Sequence, residues 1–159
     1  MARTVTATGL KLDKRKWESA SVKAGVLAGA TYPAETITPA NGGKPYPDPR
    51  AGLPVAMIAA ALNYGSGKQR IARPFMEQTI AAKKELWVRG LTTLLHSGST
   101  VQQALGEAGQ AMKDAIKETI DTWPADNVDS WAEVKGFNHG LVFRSHLLNS
   151  VDFEVNTGE

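Results

Sequence analysis

A short glycine-rich run is the first feature of this chain that could do chemistry. Residues 65–68 read Gly-Ser-Gly-Lys, and a lysine after spaced glycines is also found in loops that wrap a nucleotide phosphate. Such a loop needs wider glycine spacing, a strand before it, and a Ser or Thr after the lysine to bind magnesium. Gln69 stands at that last position. The run therefore predicts a connector and no phosphate site.

Histidines, carboxylates and serines are the other candidates for chemistry. The three histidines lack metal-type spacing, and three neighbouring acids lack the spacing and central glycine of a calcium loop. Two serines lack the strand–turn–helix setting of a nucleophile. The chain has no cysteine, which excludes thiol catalysis, cysteine zinc sites and disulfides. We therefore predict no enzyme, no catalytic residue, no metal and no cofactor. The residues considered are His96, His139, His146, Asp126, Asp129, Glu133, Ser97 and Ser145.

A basic cluster near the N-terminus has two interpretations. Lys11, Lys14, Arg15 and Lys16 surround Trp17. Such a cluster either contacts DNA or an acidic partner, or is simply a solvated surface. The net charge of the whole chain is only +2, and nucleic-acid binders usually concentrate more positive charge. A small basic nucleic-acid-binding module is therefore the alternative function and not the first one.

Length and composition set the scale of the fold that must position these residues. The chain has 159 residues, of which 42% are hydrophobic and 21% charged. These are values for one ordinary globular domain, so we expect residues 1–159 to form a single domain. The first ten residues contain no apolar segment of a secretory signal, and no apolar stretch approaches the length of a bilayer span. We expect no membrane partner.

Helical periodicity dominates the second half of the chain. Residues 74–97 and 100–122 each carry an apolar stripe, and Gly98 with the Ser99–Gln102 pair predicts a stop and a new helix start. The very short turn between them predicts an antiparallel pair. A shorter apolar helix is predicted over residues 55–62. The first stripe consists of Met76, Ile80, Trp87, Leu91, Leu94 and Leu95. The second consists of Val101, Leu105, Ala108, Met112, Ile116 and Ile120.

Alternating apolar residues predict strands near the two ends of the chain. Residues 22–28 and residues 150–155 both follow a period of two. A strand so close to a chain end must pair with another strand to be ordered. The predicted fold is therefore α+β, with a small, mostly antiparallel sheet that packs against the long helix pair. Residues 125–140 show no clear pattern and are expected to be irregular.

A proline-rich segment separates the first strand from the helices. Residues 32–54 contain six of the eight prolines, together with three glycines. Proline removes backbone donors and glycine raises the cost of ordering, so this composition predicts a flexible, extended arm. Long loops of this kind are often functional. Because aromatic and arginine side chains are common interface anchors, Tyr32, Tyr46 and Arg50 are candidate interface residues.

Three short motifs carry a resemblance to a known family. Residues 58–65 read Ile-Ala-Ala-Ala-Leu-Asn-Tyr-Gly, and residues 71–76 read Ile-Ala-Arg-Pro-Phe-Met. Residues 144–155 read Arg-Ser-His-Leu-Leu-Asn-Ser-Val-Asp-Phe-Glu-Val. Together they resemble the tail-completion, or neck, family of long-tailed bacteriophages, which includes minor tail and head–tail joining proteins. The likeness covers roughly residues 22–155. Ala72 stands where the family usually has proline, and Ser145-His146 stands where it has Thr-Gly.

The residues of this signature are expected to serve the scaffold. Gly65 would cap the small helix in a left-handed conformation, and Tyr64 would anchor the turn in the core. Phe75 would lie buried beneath the long helix. The complete set of signature residues is Asn63, Tyr64, Gly65, Arg73, Pro74 and Phe75.

The resemblance implies an assembly function without catalysis. A structural virion protein of this family completes the tail or neck and helps join the tail to the head, as a ring of six subunits. The implied partners are other copies of the chain, a tail-tube or tail-terminator protein, and head-connector or neck proteins. DNA that passes through the ring, without sequence specificity, is a further candidate. The protein would be made in the bacterial host cytoplasm and reside in the virion.

Overall fold

The computed structural model describes residues 19–67 and 71–158, and the backbone alone of residues 4–7 and 10–13. Within these ranges the chain forms five helices and three two-stranded antiparallel sheets, which confirms the α+β class. The strands are β1 (Thr4–Ala7), β2 (Leu10–Asp13), β3 (Ser21–Val26), β4 (Thr36–Ile37), β5 (Tyr46–Pro47) and β6 (Val151–Asn156). The helices are α1 (Val55–Tyr64), α2 (Phe75–His96), α3 (Val101–Asp121), α4 (Asp129–Lys135) and α5 (His146–Asn149).

An early strand and the last strand of the chain meet in one sheet, as the sequence predicts. Strand β3 pairs antiparallel with β6 from Ser21 opposite Asn156 to Val26 opposite Val151. In β6, Val151 is buried, and partly buried residues then alternate with exposed ones along the strand. This alternation places one face of the sheet against the helices. The C-terminal strand is thereby ordered through pairing with an early part of the chain.

The predicted antiparallel helix pair is present, with its start shifted by one residue. The capping box at the start of α3 uses Thr100 and Gln103 instead of Ser99 and Gln102. The Gln103 amide donates to Thr100 Oγ1 over 3.2 Å, and the Thr100 amide donates to Gln103 Oε1 over 3.1 Å. Gly98 has a φ of +87°, as a helix stop requires.

Only the second helix of the pair packs extensively on the β3–β6 sheet, which corrects the expectation that both do. Four residues of its predicted stripe are fully buried, namely Leu105, Ala108, Ile116 and Ile120. Helix α2 instead packs along α3. In α2 only Phe75 and Thr79, in the first two turns, are buried, and Ile80 of its predicted stripe is 44% exposed.

The main core lies where α1, the start of α2, the end of α3 and β6 converge. It contains Val55, Phe75, Ile120 and Val151, each at most 1% exposed, and Leu147 of α5 also belongs to it. Large side chains of this kind contribute about 1.5–3 kcal/mol each when fully buried. Residues 125–140, expected to be irregular, contain α4, which ends at Gly136 in a left-handed conformation.

Residues 32–54 fold back on the body and do not form the extended arm that the sequence predicts. The Tyr32 amide donates to the Leu53 carbonyl, and the Gly52 amide returns a hydrogen bond to Tyr32. Between these ends, β4 and β5 form a small hairpin, and Ile37 is only 2% exposed. The Ala40 amide also donates to Val134 in α4 over 2.9 Å. The segment forms a closed loop because several of its amides, including those of Tyr32, Ala40 and Asp48, find backbone acceptors within it and on α4.

Candidate functional site

Asn63 of the signature joins α1 to α2. It is 3% exposed, and its Oδ1 accepts a hydrogen bond from the Met76 amide over 3.1 Å. Its Nδ2 donates to Glu77 Oε1 over 3.0 Å. Because Pro74 at the N-terminal cap of α2 provides no side-chain hydrogen bond, Asn63 satisfies one of the free amides of the first turn from outside the helix.

Arg73 fixes the entry to α2 through an ion pair with Asp126. Its Nε lies 2.8 Å from Asp126 Oδ1 and 2.9 Å from Oδ2. The indole of Trp123 donates to the same carboxylate over 2.9 Å. A Cβ atom at Gly140 would stand 2.0 Å from Asp126 Oδ1, so glycine is required for this approach. The signature thus connects α2 to the segment that follows α3.

The remaining signature residues divide into confirmed and incorrect predictions. Phe75 is buried as expected, at 1% exposure, and Gly65 ends α1 with a positive φ of +76°. The ψ of Gly65 is 165°, which lies outside the left-handed helical region predicted for it. Tyr64 is 73% exposed, so the prediction that it anchors the turn in the core is wrong. The buried residue of the pair is its neighbour Asn63.

Two of the three candidate interface residues lie inside the folded loop. Tyr32 is 3% exposed, and the Arg50 guanidinium stacks 4.6 Å from its ring centroid. Burial raises the pKa of the Tyr32 hydroxyl. Arg50 also binds the buried Asp48 at 2.6 and 2.9 Å, and these hydrogen bonds lower the pKa of that carboxyl. Only Tyr46, at 36% exposure, still presents itself at the surface.

An ion-pair cluster holds the loop against the C-terminal part of the chain. Glu35 accepts hydrogen bonds from Arg144 over 2.7 Å and from His146 over 3.2 Å. These bonds, the one from Arg144 first, lower the pKa of Glu35. Arg144 and Ser145 both adopt positive φ, near +57°, an uncommon conformation for residues with side chains. Of the other histidines, His139 hydrogen-bonds the Asp121 carbonyl and His96 lies at the exposed end of α2.

A cavity of about 510 Å³ lies between the loop, α1, α4 and the segment before α5. Its walls are mostly apolar, and each of its two carboxylates, on Asp48 and Asp126, pairs with an arginine. Lys135 also lines it, at 8% exposure, and donates to the His139 carbonyl. Burial, aided by the charge of Arg73, lowers the pKa of Lys135 to about 8. This lysine has no hydrogen-bonded carboxylate among the described residues.

The outer part of the α2–α3 hairpin exposes apolar side chains along a groove. The groove has a volume of about 760 Å³, and Leu86, Trp87, Leu91 and Leu94 of α2 form its apolar side. Leu86 is 56% exposed. Exposed apolar side chains that share one groove can serve as a protein–protein contact. We call this groove the hairpin surface.

Other exposed apolar side chains lie near the start of α2. They are Met57 and Tyr64 on α1, at 49% and 73% exposure, and Ile71 in the connector, at 64%, and we call them the second patch. Leu86 follows Phe75 by 11 residues, which corresponds to about 16 Å along a helix axis. The hairpin surface and this second patch are therefore distinct places on the molecule.

The basic cluster, a search for metal sites and membrane spans, and comparison with known proteins identify no further functional site in the described residues. The side chains of Lys11, Lys14, Arg15 and Lys16 lie outside the described residues. No group of His, Asp and Glu side chains in the described ranges is arranged to hold a metal. None of the described helices combines the length and apolar character that crossing a bilayer requires. No protein-family model, no curated protein and no solved structure matches the chain.

Proposed function

We propose that this chain is a structural virion protein of a tailed bacteriophage that completes the tail or neck and helps join it to the head. The observation that supports the proposal most is the uncovered hairpin surface. Helix α2 is 22 residues long, yet the body buries only Phe75 and Thr79 of it. An assembly partner would cover the rest, and the phage-like signature at the base of α2 supplies the context in which that partner is a virion component.

A closed ring is the form of assembly that these surfaces favour. A head-to-tail ring joins two different patches of neighbouring subunits, whereas a twofold dimer joins two copies of one patch. The hairpin surface and the second patch are two different apolar areas at different ends of α2. Other copies of the chain are therefore the first partners that we propose. The tail-tube or tail-terminator protein and the head-connector proteins would contact the outer faces of the ring.

Genetic complementation tests this function. A phage that lacks the protein should produce filled heads and tail tubes that fail to join, as seen by electron microscopy of lysates. Supplying the variant Leu86→Asp should not restore joining, because a carboxylate buried in an interface without a partner loses its hydration. The matched control, Gln78→Asp, introduces the same charge at an exposed position of the same helix and should restore joining.

The outcome can contradict the proposal in two ways. Normal virions without the protein would show that it does not complete the particle. A Leu86→Asp variant that complements fully would show that the hairpin surface is not an assembly surface. Far-ultraviolet circular dichroism of the purified variant confirms that it is folded, so that loss of joining is not loss of structure.

A basic nucleic-acid-binding module remains the second candidate, favoured by the Lys11–Lys16 cluster. The logarithm of its affinity for duplex DNA should fall steeply with the logarithm of salt concentration, with a slope set by the number of phosphates contacted. Fluorescence anisotropy over a salt series measures this slope. Binding that is absent at low salt would eliminate this candidate without affecting the first.

A further inference from the structure

The groove of the hairpin surface has an acidic rim along α3. Glu107, Asp114 and Glu118 line it, and their spacing of seven and four residues places them on one side of the helix. All three residues are exposed. Opposite them on α2, Lys83 approaches Glu118 at 3.7 Å, and it is the single basic residue that lines the groove. The groove therefore offers an apolar side and a rim with excess negative charge.

The N-terminal segment has the complementary character. Residues 1–18 contain five basic and two acidic side chains, a net charge of +3, and they include the apolar residues Val5, Leu10, Leu12 and Trp17. Strands β1 and β2 pair with each other in a two-stranded sheet that does not join the β3–β6 sheet. An isolated two-stranded hairpin is at best marginally stable in water, so it gains from a surface to pack on. We call the β1–β2 pair, together with the rest of residues 1–18, the N-terminal hairpin.

We propose that the N-terminal hairpin of one copy docks in the groove between α2 and α3 of the next copy. This inference rests on the proposed ring and adds the N-terminal hairpin to the contact between the hairpin surface and the second patch. Opposite charge and shared apolar character match the two surfaces, and charge complementarity of this kind also selects the correct partner. A head-to-tail ring requires every subunit to carry both halves of such a contact, and this chain carries both.

Charge reversal in matched sets tests the docking directly. One variant reverses the groove rim, with Glu107→Lys, Asp114→Lys and Glu118→Lys. The other reverses the hairpin, with Lys11→Glu, Lys14→Glu, Arg15→Glu and Lys16→Glu. Analytical ultracentrifugation of the full chain measures self-association. Each variant alone should associate about tenfold or more weakly than the wild type, because like charges then meet at the contact. The control Asp129→Lys with Glu133→Lys and Glu154→Lys makes the same charge change as the groove variant, at positions away from the groove, and it should associate normally.

Rescue distinguishes docking on a neighbour from docking within one chain. Both sets of reversals in a single chain should restore association. An equimolar mixture of the two variants should restore it as well, because in an alternating ring every hairpin meets a groove of opposite charge. If the N-terminal hairpin docked in the groove of its own chain, mixing the two variants could not restore the contact. Association that returns in the doubly reversed chain but not in the mixture would therefore overturn docking between copies.

Two further results would overturn the proposal, and they separate it from the ring itself. A wild-type protein that associates, together with reversal variants that associate equally well, would leave the ring standing and remove this contact. A wild-type protein that stays monomeric at every concentration and in the presence of tail tubes would remove both. The variant with the four basic residues of the N-terminal hairpin reversed could also lose DNA binding while its self-association stays unchanged. That result would assign these basic residues to nucleic-acid binding instead.

Discussion

Two polar side chains, Asn63 and Arg73, determine how the chain turns from α1 into α2. Asn63 reaches forward to the first turn of α2, and Arg73 reaches across to Asp126. Both lie in part-buried surroundings, where hydrogen bonds are stronger than in water and an unmatched group is costly. These residues set the direction of the helix pair and thereby the position of the hairpin surface.

The buried Lys135 makes the stability of the fold depend on pH. The pKa of Lys135 is lowered from 10.5 to about 8, so the folded state releases its proton before the unfolded state does. Between about pH 8 and 10.5 the unfolded chain binds more protons, and stability should therefore rise with pH through this window. Below pH 8 the charged lysine is a constant cost to the fold.

Urea denaturation at intervals from pH 7 to 10 measures this dependence as a difference between two proteins. The variant Lys135→Met keeps the apolar stem and removes the titrating amine, so its stability should rise less over the window than that of the wild type. The control Lys84→Met, at an exposed position of α2, should follow the wild type. Parallel pH profiles for wild type and Lys135→Met would show that the lysine is not desolvated.

At the scale of elements, the two long helices show what a hydrophobic repeat predicts about a helix and what it leaves open. Helices α2 and α3 have similar length, and each has an apolar stripe in the sequence. The stripes are covered very differently, because Ile116 is 2% exposed and Ile80 is 44% exposed. A repeat of 3.6 residues predicts a helix and its apolar face, but it contains no information on whether the same chain or a partner covers that face.

A close approach between α3 and β6 leads to a prediction with an internal control. A Cβ atom at Gly109 would stand 2.3 Å from the Phe153 ring, whereas at Gly106, one turn earlier, no atom lies within 4 Å. Gly109→Ala should therefore destabilise the fold by about 1–3 kcal/mol, as overpacking does. Gly106→Ala should stabilise it by up to about 1 kcal/mol through helix propensity.

Thermal or chemical denaturation of the two alanine variants provides the measurement. Because both changes add one methyl group to the same helix, propensity acts on both and the difference isolates the contact with Phe153. Equal effects at the two positions would mean that α3 does not lie this close to β6. The double change Gly109→Ala with Phe153→Leu should recover part of the loss, since the shorter side chain leaves room for the methyl group.

At the scale of the whole molecule, the 32–54 loop links parts of the chain that are distant in sequence. Glu35 binds Arg144, 109 positions away, and Ala40 binds Val134 in α4. Proline and glycine content predicts a segment without regular structure, which is correct for most of this loop. The composition does not predict that the loop folds back on the body. That folding depends on individual hydrogen-bond partners elsewhere in the chain, which a local sequence pattern does not contain.

Hydrogen exchange tests this closure. The amides of Tyr32, Ala40 and Asp48 are hydrogen-bonded to backbone carbonyls, so we expect them to exchange at least about tenfold more slowly than the exposed tip of the loop. Mass spectrometry with peptide resolution on the wild type measures the difference. Arg144→Ala should accelerate exchange in residues 35–37, whereas Arg89→Ala on the outer part of α2 should not. Uniformly fast exchange over residues 32–54 would restore the flexible arm that the composition suggests.

The sheet and the helix pair were thus accessible from the sequence, and the candidate site only in part. Strand alternation ending at Val155 and the stop at Gly98 are local signals, and both are confirmed. The signature correctly indicates a buried Phe75. It fails at Tyr64, because which of two adjacent residues points inward depends on the angle at which α1 leaves the core. The groove between α2 and α3 is a property of two packed helices, and neither segment shows it alone.

The closed ends of the 32–54 loop have a consequence for how this chain tolerates change in length. Thr31 and Pro54 form a bridge, so the loop leaves and rejoins the body at one point, while Asn41, Gly42, Gly43 and Lys44 at its far end are all exposed. Doubling the length of a loop costs only about 0.6 kcal/mol in closure entropy. Insertions at this tip should leave the Thr31–Pro54 bridge and the core unchanged. We therefore expect an epitope inserted between Gly42 and Gly43 to leave the protein folded and to be accessible to an antibody.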